Sequence, residues 1–163
     1  MTDRGILNVL ESAQYEELKD APAYITILVA GADGKIDEHE LNWAEKLANI
    51  RSYDKPQELN QYYEDVEAVL DTRIKELLDE LPSELEAREV EITKHLSKLN
   101  SMFKVVENEL AYKLYTSFTS WAKHIAKASG GFLRFGSISS QEKKWIGLPM
   151  VDPVILEVVG EEE

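Results

Sequence analysis

The chain has 163 residues, 44% of them hydrophobic and 30% charged, with a formal net charge of −13 and no cysteine. That length suffices for one domain with its own core, and the lack of cysteine excludes disulfides, thiolate metal sites and cysteine nucleophiles. The acidic excess argues against nucleic acid as a partner, because a phosphate backbone is repelled at long range.

The N-terminal Met1-Thr2-Asp3-Arg4-Gly5-Ile6-Leu7 lacks the apolar core of a signal peptide. No run reaches the ~20 apolar residues of a membrane span. A cytoplasmic chain is expected, one domain over 1–163 with a short mobile acidic tail at 160–163. Residues 8–19 read as a short amphipathic helix, and Asp20-Ala21-Pro22 as a cap with proline in the first turn, where its missing N–H costs nothing. A second helix over 21–32, apolar nearly all round through Tyr24, Ile25, Ile27, Leu28 and Val29, is expected to be central and buried.

It leads into an acidic turn, Ala32-Asp33-Gly34-Lys35-Ile36-Asp37-Glu38-His39-Glu40. Asp37 and Glu40 have the spacing of a capping box, and Ile36 and Leu41 that of a hydrophobic staple. The same letters reproduce the back half of an EF-hand loop. Val29 and Gly31 stand where its first two ligands would be, so a standard calcium loop is excluded. Ala-Asp-Gly-x-Ile-Asp-x-x-Glu after an apolar helix resembles the TerB-like family, which includes tellurite-resistance and stress-response proteins and a co-chaperone domain. The resemblance covers about a dozen residues in motif and most of the chain in helical pattern. It implies an all-helical fold and divalent-metal binding at an acidic cluster, and it implies no reaction. Asp33, Asp37 and Glu40 are the candidate ligands, and calcium or magnesium suits their hard oxygens. Capping alone requires only Asp37 and Glu40.

The helical pattern continues over 38–51, with Leu41, Trp43, Ala44, Leu47, Ala48 and Ile50 facing inward. Asp54-Lys55-Pro56-Gln57 caps a long helix carrying Leu59, Tyr62, Tyr63, Val66, Val69, Leu70, Ile74, Leu77, Leu78 and Leu81, and Pro82 ends it. Ser83-Glu84-Leu85-Glu86 reads as another capping box, opening one helix through Val106. Asn108 caps or interrupts, and the pattern resumes from Leu110 to Ser129, where Gly130-Gly131 stops it. No stretch alternates as a strand, and Asp152-Pro153 reads as one more cap.

Gly34, Ile36, Glu40 and Trp43 recur at equal spacing as Gly136, Ile138, Glu142 and Trp145. Two pseudo-repeated halves within an all-α domain of about seven helices are therefore expected, with Ser139 and Glu142 keeping the capping box. Residues 111–150 carry Lys113, Lys123, Lys127, Arg134, Lys143 and Lys144 against the single acid Glu142. Such a basic segment is either a solvated face or a docking patch for an acidic protein, an anionic lipid surface or a second copy of the chain.

Enzyme signals are sparse. His95 and His124 follow Ile92 and Trp121 by three residues, so no Glu-x-x-His di-iron pair is present, and His39 reads as an exposed helix residue. The glycine-rich 130–136 stretch lacks the lysine of a phosphate loop and reads as a connector with Phe132 and Phe135 in the core. The tryptophans read as core, and the charged 84–91 face as solvated surface. The expectation is a non-enzymatic stress-response module that docks protein partners and takes calcium or magnesium at its acidic turn. The alternative is a metal-assisted hydrolase using Asp33, Asp37 and Glu40, for which no nucleophile, base or oxyanion donor is evident nearby.

Overall fold

The most apolar segment of the chain ends up at the centre of the molecule. The computed structural model describes residues 9–32, 34, 36, 38–54, 57–130 and 140–157. In it every residue from Ala21 to Ala30 is buried. The first helix, α1 (Ser12–Ala30), runs unbroken through Pro22, which corrects the two-helix reading of this region. Pro22 has no N–H to give to the carbonyl four residues back, and a helix normally breaks for that reason. Here the Tyr62 hydroxyl donates to the Leu18 carbonyl at 2.6 Å and replaces the missing donor. Thr26 Oγ1 donates to the Pro22 carbonyl (2.7 Å) and accepts from Trp121 Nε1 (2.9 Å), so the polar groups around the proline are satisfied in the core.

Two long helices follow, α2 (Glu38–Asp54) and α3 (Gln57–Glu80). They pack against each other, with α3 against α1. Their buried stripes are Ala44, Leu47 and Ala48 on one and Leu59, Tyr62, Tyr63, Val66, Leu70, Ile74 and Leu77 on the other. Ile50 and Leu78, expected inward, are 37% and 36% exposed. At a helical pitch the inward places are taken by their neighbours Arg51 and Leu77, leaving these two on the flank.

Next come α4 (Leu85–Leu96), α5 (Leu99–Val105) and α6 (Asn108–Gly130), the last packing along α1 and α2. The single helix expected from 84 to 106 is broken at Ser97-Lys98. There the backbone bonds tighten from Ser97 N–H to Thr93 O into Lys98 to His95 and Asn100 to Ser97, while Ser97 Oγ bonds the Lys94 carbonyl. The cap of α4 is Glu84 rather than Ser83; its carboxylate accepts from Ala87 N–H at 3.0 Å. The face over 84–91 is not wholly solvated, since Arg88 is buried.

A short helix, α7 (Ser140–Lys143), leads into turns and then an extended segment. Leu148 there holds a left-handed φ of 49° and is fully buried, so its side chain fixes a conformation that its backbone resists. Beyond it the expected Asp152-Pro153 helix cap is not formed. Two asparagines hold this segment extended by imitating a peptide group. Asn100 donates to the Met150 carbonyl (3.1 Å) and accepts from Asp152 N–H (2.7 Å). Asn108 does the same with Ile155 (2.9 Å) and Glu157 (2.7 Å). Asn100→Ala and Asn108→Ala are each expected to cost about 1 kcal/mol, and to bring the Asp152 and Glu157 amides to open-chain hydrogen-exchange rates. Protection that survives in both variants would show that packing alone holds the segment.

The fold is all-α, with no strand among the described residues. The buried apolar side chains form one cluster, and no described helix is long and apolar enough to cross a membrane. Gly136, Ile138 and Ser139 of the repeat, the 131–136 connector with Phe132 and Phe135, and the 160–163 tail lie outside the described residues. Of the repeated pairs, Glu40 and Glu142 are both buried; Trp145 is buried and Trp43 half-buried.

Candidate functional site

The acidic turn begins where α1 ends. Gly31 N–H bonds Ile27 O at 2.9 Å and Gly34 N–H bonds Gly31 O at 2.9 Å. Gly34 has a φ of 93°, which only glycine adopts without strain. Gly31 is required for space: a Cβ there would lie 2.7 Å from Arg88 Nη2 and 3.2 Å from Ile36 Cγ1. Arg88, reaching over from α4, donates to the Gly31 carbonyl at 3.3 Å. That places a guanidinium at the C-terminal, partially negative end of α1. Ile36 and Leu41, the expected staple pair, each pack half-buried on the core.

Of the three predicted ligands, Glu40 is placed in the first turn of α2 and is 1% exposed. Asp33 and Asp37 lie outside the described residues, as does the side chain of His39. Among the described residues no three His, Cys, Asp or Glu side chains are grouped to hold a metal ion. Glu40 contributes a carboxylate of the hard oxygen type that calcium and magnesium take, one ligand of the several such an ion needs.

A second buried charge has no counterpart in the sequence reading. Arg51 of α2 is 3% exposed, and among the described residues no carboxylate pairs with it. Neutral oxygens hold it instead. Nη1 donates to Tyr63 Oη (3.1 Å), Ser117 O (2.7 Å) and Ser117 Oγ (3.0 Å), and Nη2 to Ser120 Oγ (2.9 Å). Tyr63 and Ser117 also bond each other. The guanidinium lies 5.5 Å from the Tyr63 ring and 5.4 Å from the Trp121 ring, both within cation–π range. One signal was available, because Arg51 follows Ala44, Leu47 and Ala48 by seven, four and three residues, on the buried stripe. Arg88 likewise precedes Ile92 and Leu96 at four-residue steps.

The chain was compared with protein-family models, curated proteins and solved structures. It matches none. His95 stacks on Tyr24 with 4.7 Å between ring centres, its Nδ1 3.6 Å from Glu17 and its Nε2 3.4 Å from Glu91. His124 is exposed. Burial pushes the Asp20 carboxyl up from its usual range against the pull of its 3.0 Å bond to Arg73, and burial with the nearby Asp20 pushes the Tyr24 hydroxyl up to about 12. In the basic segment Lys113 pairs with Glu109 at 3.3 Å, and Lys144 sits 4.7 Å over the Trp145 ring. Lys123, Lys127 and Lys143 are exposed, and Arg134 lies outside the described residues.

Proposed function

We propose that the protein is a non-enzymatic helical module of the TerB type, acting in stress response by docking protein partners, with calcium or magnesium at the acidic turn as its tuning ligand. The burial of Glu40 carries this reading. Its carboxylate sits in the first turn of α2, beside a turn whose sequence supplies Asp33 and Asp37. That turn starts from the end of α1, which Arg88 of α4 grips through the Gly31 carbonyl. A cation taken up there would tighten the junction of three helices and stiffen the surface offered to a partner.

The test separates a cation site from a cap. A cap is indifferent to divalent ions: Asp37→Ala costs about 0.5–2 kcal/mol with or without them, and Asp33→Asn leaves stability nearly unchanged. A bound cation adds about 1.4 kcal/mol at a tenfold excess over its Kd. Calcium or magnesium is expected to raise the melting temperature of the wild type, and Asp33→Asn and Glu40→Gln to shrink that rise. No heat on titration and no thermal shift at millimolar ion would remove the cation and leave a capped helix start.

A further inference from the structure

The Arg51 network ends at a surface groove. A guanidinium can only donate, so Ser120 Oγ accepts from Arg51 Nη2 and its own hydroxyl hydrogen must go elsewhere. Among the described residues no acceptor takes it. Ser120 lines a groove of about 480 Å³ together with Tyr115, Thr119 and Lys123 of α6 and Ile146 and Gly147 after α7. Lys123 is exposed and has no acidic partner among the described residues, and no acid lines the groove. The Tyr115 hydroxyl likewise makes no hydrogen bond among the described residues. Thr119 spends its hydrogen on the Thr116 carbonyl at 3.1 Å and contributes none.

In a chain of net charge −13, this corner gathers two cations without carboxylates, one at the surface and one buried behind a serine. We propose that the groove binds a phosphate monoester with a small apolar body. The phosphate dianion matches the two charges: Lys123 meets it directly, and Arg51 acts through Ser120, whose O–H it polarises and leaves free to donate outward. Tyr115 supplies a third donor. The Tyr115 ring and Ile146 form the wall for the apolar body.

Phenyl phosphate and inorganic phosphate are the probes, titrated calorimetrically into the full chain and followed by thermal shift. Both are expected to bind, phenyl phosphate the tighter by several-fold. Lys123→Gln and Ser120→Ala are expected to weaken phenyl phosphate about tenfold or more, the loss of one charge-assisted hydrogen bond. Each variant's shift is measured against its own ligand-free melting, so a small change in stability does not confuse the comparison. Vesicles containing phosphatidic acid distinguish the source of the phosphate. Sedimentation with them while neither soluble phosphate shifts melting would assign a lipid surface and overturn the small-molecule site. Equal binding by wild type and both variants would overturn it as well.

Discussion

Arg51→Ala is expected to destabilise the protein by about 2–5 kcal/mol, whereas Arg51→Met leaves it within about 1.5 kcal/mol of the wild type. The difference follows from what each substitution leaves behind. Alanine opens a cavity beside the Tyr63 and Trp121 rings, which stack on each other 6.0 Å apart with the guanidinium against both. Methionine fills most of that volume and brings no charge to desolvate. The former partners are not stranded, because Tyr63 and Ser117 bond each other and the Ser117 carbonyl lies inside α6. Urea unfolding with unchanged slope measures both. A methionine variant as unstable as the alanine one would show that the cation–π and charged hydrogen bonds outweigh the cost of burying the charge.

Tyr62→Phe is expected to cost about 1–3 kcal/mol, because it leaves the Leu18 carbonyl buried without a donor. The informative experiment is the second substitution. Pro22→Ala restores a backbone N–H opposite that carbonyl, so it is expected to recover at least half of the loss in the Tyr62→Phe background while changing the wild type little. Such coupling between Pro22 and Tyr62 in a double-mutant cycle is the signature of one carbonyl served by either donor. Strict additivity would mean that the hydroxyl contributes through packing alone.

The legible and illegible parts of this chain divide by the range of the interactions that decide them. Helix existence was plain from apolar spacing, and Pro82 marked the stop of α3 because the block it imposes is local. The continuity of α1 was not legible, since it depends on a hydroxyl 44 residues away. The break at Ser97 was hidden under a periodicity that continues across it. At the acidic turn Ile36 and Leu41 both pack on the core, and Gly34 has the positive φ that its turn demands. The buried arginines were harder, because a basic residue on an apolar stripe reads as noise until its acceptors are known. The asparagine clamps could not be foreseen at all: a side-chain amide that imitates a peptide leaves no periodic trace.

The burial of α1 on all sides from Ala21 to Ala30 also shapes how the chain is made. Its neighbours α3 and α6 are made after it, and the 100 residues between Ala30 and Gly130 must leave the ribosome before α6 can close over it. At a typical elongation rate that takes about 5–20 s. Throughout that interval the nascent chain carries the most apolar of the described helices with part of its surface uncovered, a natural substrate for a chaperone that shields hydrophobic segments until α6 has emerged.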